Sequence, residues 1–384
     1  MSPRIIPSRF IPGILALLLA AGFVAELRAQ DLPYRTLSGA VKSADTGEAL
    51  PGVHVFIGRT MIGTVTDADG RYELARVPYG KHKLWASIVG FETTSRDIAV
   101  GDTTRAAFDF ELPTAVIEIG ELTVEAKRDR RWRKRFETFE RLFIGESQNA
   151  GETVILNPEV LDFDASWVGS FRASAAGPLL IENRALGYRI QYFLKEFERE
   201  GGTIRYDGDP LFEDLEPASP EEAAYWEENR RTAFYGSLRH FLLALWDRRS
   251  EAEGFELYRI PSIEDFNRND RRFSIEPDEL FVPAGIPTER LLTFHGLIEI
   301  TYTQEREEQK FLSWQSGSPH RPLRDQRSWI RLTDGPTEVD DQGEIIDPYG
   351  VTVYGYFAFE RMANEVPKEY RPEGNTYRKT DLTK

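Results

Sequence analysis

Between Leu37 and Leu112 the chain runs in short stretches of alternating apolar and polar residues, broken by Asp45-Thr46-Gly47, Pro51-Gly52, Asp69-Gly70 and Tyr79-Gly80. Side chains along a strand point to opposite sides in turn, so Val53, Val55 and Ile57 share one face, and Phe108, Phe110 and Leu112 share another. Strands at that spacing predict a β-sandwich of seven-stranded type over residues 30–117. Asp67-Ala68-Asp69-Gly70 lies between the runs Gly63–Thr66 and Arg71–Leu74, where Asp-Gly predicts a hairpin turn: glycine accepts positive φ, and aspartate bonds its own following backbone. A calcium loop of the EF-hand kind would need further ligands at fixed positions and a closing bidentate glutamate, and that array is missing.

After the sandwich the period changes. Residues 118–150 read as a connector: Ile119–Glu125 could add a strand, and from Lys127 the pattern turns helical. Trp132, Phe136, Phe139 and Phe143 then recur at spacings of four, three and four, on one helix face. Lys127, Arg128, Arg130, Arg131, Arg133, Lys134 and Arg135 crowd the start of this helix, where positive charge opposes the macrodipole. Two uses are open for the cluster, contact with an anionic envelope surface or pairing with acidic surface of the same protein.

From 151 to 370 strand and helix signals mix, predicting an α+β domain with an antiparallel sheet and a helical pair. Leu186–Leu194, Leu291–Thr303 and Ser328–Leu332 read as strands, and Gly350–Phe359 as a further aromatic one. Ser219-Pro220-Glu221-Glu222 is a capping box with proline at the first helical position. A second helix carries the apolar stripe Phe234, Leu238, Phe241, Leu242 and Leu245. Residues 371–384 read as a loose polar tail. The fold class is therefore mostly β with α+β character.

Composition changes the picture in three ways. The first 29 residues read as an export signal: Arg4 and Arg9, an apolar run from Ile11 to Val24, and Leu27-Arg28-Ala29 as the cleavage site, so the mature chain is expected to begin at Gln30. Cysteine is absent, which removes disulfides, thiolate metal sites, a cysteine nucleophile and lipoprotein acylation together. A net charge of -15 repels nucleic acid. The chain is thus expected in the periplasm or at the outer membrane, and not as a lipoprotein.

The stretches LSGAVKSADTGEALPGVHVFI, GTVTDADGRYEL, PYGKHKLWASIVGFE and DFEL resemble the carboxypeptidase regulatory-like domain, a sandwich of the transthyretin-like, carbohydrate-binding-like type. The resemblance implies a non-catalytic module that accompanies catalytic domains or outer-membrane transporters. Blocks of the second half, among them FIGESQNAGETVILNPEVLDFD and NRRTAFYGSLRHFLLAL, resemble exported bacterial proteins that carry this module and have no assigned reaction.

The motifs themselves point away from catalysis. None of His54, His82, His240, His295 and His320 begins a His-x-x-Glu pair, and HEXXH is missing, so a zinc peptidase lacks its ligands. No cofactor is expected. Gly145–Asn149 lacks the last glycine of a nucleophile elbow. Ser237 and His240 stand on one helix, whereas a catalytic triad converges from separate segments. Glycoside hydrolysis needs only two carboxylates, and Asp162, Asp164, Glu182, Asp207 and Asp209 are present. Candidate binding residues are Arg130, Arg131, Trp132 and Arg133 of the connector, and Asn157, Glu182, Asn183, Asn229 and Arg230 beside apolar runs. The functional expectation is an exported, non-catalytic envelope protein that binds a protein partner or a glycan, with possible anionic membrane contact through the connector. The alternatives are a glycan-active hydrolase and an accessory subunit of an outer-membrane transport complex.

Overall fold

A computed structural model describes residues 34–102, 107–115, 130–165, 170–262, 271–316 and 320–372. The export segment and the Ile119–Glu125 strand lie outside these residues.

The amino-terminal unit has strands β1 (Tyr34–Ser43), β2 (His54–Ile57), β3 (Gly63–Val65), β4 (Arg71–Pro78), β5 (Gly80–Ser87), β6 (Thr94–Val100) and β7 (Phe110–Leu112). They form two sheets, ordered β4-β1-β7 and β3-β2-β5-β6. Val53, Val55, Ile57, Phe110 and Leu112 are buried between the sheets, as the alternation requires. The Asp67–Gly70 turn departs from expectation. β3 pairs with β2 and β4 pairs with β1, so the turn is a corner between sheets and not a hairpin. Asp67 Oδ1 accepts the N–H groups of Asp69 and Arg71 at 2.9 and 2.8 Å. Gly70 takes φ 71°, and a Cβ there would stand 2.6 Å from the Val41 carbonyl oxygen. The acidic residue shapes the backbone.

Helix α1 (Arg130–Phe143) packs its aromatic face on a six-stranded sheet, and Phe139 and Phe143 are fully buried there. That sheet contains β8 (Thr153–Ile155), β9 (Leu161–Ala165), β10 (Phe171–Ala175), β11 (Leu179–Asn183), β12 (Tyr188–Glu200) and β13 (Thr203–Asp214), in the order β8-β11-β12-β10-β9 with β13 on the other edge of β12. Tyr192 and Phe197 of β12 meet the helix edge to face, at 4.8 Å from Phe143 and 4.9 Å from Phe139.

Helices α2 (Pro220–Phe234) and α3 (Leu238–Trp246) lead into a second core. Ser219 caps α2 by accepting the Glu222 N–H at 3.3 Å, and Glu222 reaches back to the Ala218 N–H at 2.5 Å. Beyond them lie β14 (Phe255–Ile260), β15 (Phe273–Ser274), β16 (Phe281–Pro283), β17 (Glu289–Leu292), β18 (Leu297–Arg306), α4 (Gln309–Ser316), β19 (Asp325–Leu332), β20 (Thr337–Asp340), β21 (Val351–Gly355) and α5 (Tyr356–Phe359). Their sheets are β15-β14-β18-β19-β21 and β16-β17-β20.

Three expectations are corrected here. Leu291–Thr303 is two strands in different sheets, because Gly296 at φ 81° packs against Ile260, where a Cβ would stand 2.3 Å from its carbonyl oxygen. Gly350–Phe359 becomes strand and then one helical turn, switching at Gly355 with φ 71°. Arg371, read as the start of a loose tail, is buried, and its guanidinium donates to Gln342 Oε1 at 2.7 Å and to the Lys368 carbonyl at 2.7 Å.

Because α1 completes the core of the six-stranded sheet, Phe143→Ala is expected to cost about 3–5 kcal/mol. Urea unfolding followed by far-ultraviolet circular dichroism measures this, and a cost under 1 kcal/mol would mean the helix is peripheral.

Candidate functional site

The site begins with two aromatics on the wrong side of a sandwich sheet. On β5, Leu84 and Ala86 fill the core while Trp85 projects outward, and on β2 Phe56 does the same between Val55 and Ile57. Large apolar rings facing away from their own core need a second surface to exclude water. Phe193 of β12 supplies it, with ring centroids 4.6 Å from Phe56 and 5.6 Å from Trp85, and Leu211 closes the cluster.

A β-bulge sets the polar partner of this contact. The β12–β13 register shifts between Leu194 and Glu196, opposite Gly208. Gly208 has φ 157°, and a Cβ would fall 2.5 Å from the Phe193 carbonyl oxygen, so the position needs glycine. Asp209, the next residue, is thereby brought against the sandwich. Trp85 Nε1 donates to its Oδ2 at 3.0 Å, Arg59 Nε lies 3.3 Å from its Oδ1, and Lys83 Nζ is 3.9 Å away. Gly58 is bare for the same reason: a Cβ there would stand 2.7 Å from Asp209 Cγ.

Arg59 ties three parts of the chain together. Its φ of 65° is in the left-handed region, a conformation that costs an L-residue roughly 1–2 kcal/mol. Hydrogen bonds hold it there: its N–H donates to the Pro210 carbonyl at 2.7 Å, and its carbonyl accepts the Lys368 N–H at 2.9 Å. The guanidinium also meets Glu344 at 3.0 Å and Glu365 at 3.2 Å. Burial alone would lower the Arg59 pKa, but Glu344, Glu365 and Asp209 outweigh it and raise the pKa well above the ordinary value. Burial pushes the Glu365 carboxyl up to about 7, against the opposing pull of Arg59. The carboxy-terminal segment is clamped by Lys368 Nζ on Asp340 at 2.5 Å, by Arg239 on the Pro367 carbonyl at 2.9 Å, and by the Met61 N–H on Glu369 at 3.0 Å.

Next to this seam the sandwich and the six-stranded sheet leave a cleft of about 800 Å³. Trp85, Phe193 and Leu194 line it, with Ile88, Val89, Phe91 and Thr93 from the sandwich and Asn157, Pro178, Leu180 and Gln191 from the sheet. Among the described residues Glu92 is the one carboxylate lining it. Among the described residues no group of three or more His, Asp or Glu is placed to hold a metal ion.

The residues singled out from the sequence divide into three groups. Arg130, Arg131 and Arg133 are exposed at the start of α1, while Trp132 turns inward, stacks on Phe136 and donates to the Leu161 carbonyl at 3.4 Å. Asn157 lines the cleft, but its amide is engaged by the Pro178 carbonyl at 2.9 Å and the Leu180 N–H at 2.7 Å. Glu182, Asn183, Asn229 and Arg230 gather around the β11–β12 turn. Asn183 accepts the Leu186 N–H and donates to Ala363 O, both at 3.0 Å, and Asn229 donates to Ala185 O at 2.9 Å. Arg230 donates to Leu186 O at 2.7 Å and lies over the Tyr188 ring at 4.0 Å, and Glu182 pairs with Arg184 at 2.7 Å. Asn183, Asn229 and Arg230 thus brace backbone, while Glu182 pairs with a side chain. Of the candidate carboxylates, Asp162 and Asp164 are exposed on β9, Asp207 lies 3.7 Å from Lys195 Nζ, and Asp209 is occupied in the seam.

The structure defines a β-sandwich packed against an α+β body. Residues 37–124 match the family model of the CarboxypepD_reg-like domain, which identifies the amino-terminal unit. The TonB-dependent receptor P39 of Formosa agariphila is 35% identical over 111 residues, 29% of this chain and 10% of the receptor, so the chain spans a tenth of that relative's length. Among solved structures, a type II cohesin–X-dockerin complex from Acetivibrio cellulolyticus aligns at 24% identity and TM-score 0.16, over 20% of this chain and 51% of that one. A candidate carbohydrate-binding protein from Bacteroides uniformis aligns at 11% identity and TM-score 0.18, over 47% and 80%. Superpositions at that level carry no functional weight.

Two outcomes test the seam. Asp209→Leu removes the shared acceptor and is expected to cost about 3–5 kcal/mol, read from urea midpoints. Glu365 has a folded-state pKa above its unfolded value, so its contribution is present at low pH and is lost as pH rises from about 4.5 through 7. Glu365→Gln should therefore gain stability relative to wild type between pH 5 and pH 8, and a difference that stays constant would remove Glu365 from the pH response.

Proposed function

We propose that this protein is a non-catalytic component of the cell envelope that docks a polypeptide partner on the face beside the cleft. The observation that carries this reading is an uncovered apolar surface. Val154 and Leu156 are 47% and 52% exposed, Leu180 is 36% exposed, and Val89 at the β5–β6 turn is 97% exposed. Val154 and Leu156 lie two residues apart on one face, and the Leu156 N–H donates to Leu180 O at 2.7 Å, making those two cross-strand neighbours. Leu180 and Val89 also line the cleft, so patch and cleft form one surface. Clustered apolar side chains of this kind mark interaction sites.

The envelope setting draws support from the leader-like first 29 residues and from the kinship of the amino-terminal unit with part of a receptor named TonB-dependent. Partnership with an outer-membrane transport complex draws its support from the same two observations.

The test is a photo-reactive amino acid at position 156 in intact cells, compared with one at exposed Arg189 on β12. A discrete cross-linked polypeptide from position 156 only, lost at least about tenfold when Leu180→Glu is added, is the expected result. The Leu180→Glu change should leave stability within about 0.5 kcal/mol. Cross-links to glycan alone, or to nothing, would defeat the polypeptide reading.

A further inference from the structure

Helix α1 carries a second surface that is exposed among the described residues. Arg130, Arg133, Lys134, Glu137 and Arg141 are all exposed and fall at i, i+3, i+4, i+7 and i+11, a single stripe about 16 Å long. The opposite face, with Phe139 and Phe143, is sunk in the core. Of the nearby cations, Arg135 is committed to the Phe163 carbonyl at 3.0 Å, and Arg141 lies 3.6 Å from Glu146. The acidic residues of the adjoining strand do not neutralise the stripe. Leu161 and Phe163 of β9 face the helix, so Asp162 and Asp164 stand on the far side of the sheet.

Helix stability does not account for these charges, since cations in a first turn oppose the dipole. Nor do they line any cavity described above. A straight, convex row of cations matches a plane of negative charge better than it matches a folded pocket, where carboxylates would need to converge. We propose that this face of α1 rests on an anionic lipid surface, its guanidinium and ammonium groups meeting headgroup phosphates. The whole chain carries -15 and would be repelled from such a surface in most orientations. Screening confines the interaction to about 8 Å at physiological salt, so the local stripe decides the outcome and also orients the protein. With the ring of Trp132 turned into the core, no aromatic inserts, and contact is electrostatic and reversible. The polypeptide face is on β8 and β11, so the two proposals stand or fall separately.

The experiment is co-sedimentation of the full chain with vesicles of phosphatidylglycerol and phosphatidylcholine, or of phosphatidylcholine alone. Binding is expected only with the anionic lipid, and it should vanish between about 0.1 M and 1 M salt as the Debye length falls from about 10 to 3 Å. Each cation contributes a factor of about five, so R130Q/R133Q/K134Q should weaken binding about a hundredfold. Its melting temperature should hold or rise, because the helix dipole is relieved. Glu137→Gln makes the stripe more positive and should strengthen binding about fivefold, a gain that misfolding does not produce. Equal binding to neutral vesicles, insensitivity to salt, or unchanged binding by both variants would overturn the proposal. So would capture of soluble polyphosphate without capture of vesicles.

Discussion

The arrangement of this protein depends on one buried carboxylate. Asp209 sits between the sandwich and the body with Trp85, Arg59 and Lys83 directed at it. A carboxylate withdrawn from water is tolerated only when its partners replace hydration. Those partners come from the sandwich, while the acid comes from β13 opposite the bulge in β12, so neither unit satisfies its own charges alone. The consequence is positional: the sandwich packs directly on the body. Hydrogen bonds at Arg59, a strand-like bridge between Thr60 and Leu211, and the aromatic contact at Phe193 hold it in one pose.

That pose creates the surfaces on which function is argued. The cleft exists because the β5–β6 turn stands over the β11–β12 region, and its size is inherited from the seam beside it. The carboxy-terminal segment takes part in the same way, since Lys368 and Arg371 lie buried against residues from Asp340 to Gln342. Arg371, at the head of a stretch that reads as polar and loose, belongs to this strap. Long cationic side chains bury their stems and find acceptors at the tip.

Much of the local architecture was legible in the sequence. The alternation around Val53–Ile57 and Phe108–Leu112, the aromatic stripe of α1 and the Ser219 cap each obey periods or capping chemistry within a few residues of chain. Two of the departures trace to a glycine placed by tertiary packing: Gly296 and Gly355 break runs that look continuous in hydropathy. The binding candidates show the same limit. Asn183, Asn229 and Arg230 are recognisable as polar groups beside apolar runs, but the bracing by Asn229 and Arg230 joins residues 44 positions apart, and Asn183 reaches Ala363 across 180. One signal for the seam was present and passed over: Phe56 and Trp85 occupy outward positions on strands whose neighbours fill the core.

The chain by itself determined which segments extend, which coil, and where acidic residues serve turns, because these follow from side-chain period and backbone geometry over short distances. It also determined that thiol chemistry is absent and that a basic cluster opens α1. Only the tertiary structure decided that Asp209 and Arg59 meet, that α1 belongs to the body core, and that an apolar patch borders a cleft. Charges distant in sequence have no mutual energy until folding removes the water between them, and the cost of that removal is what selects their partners.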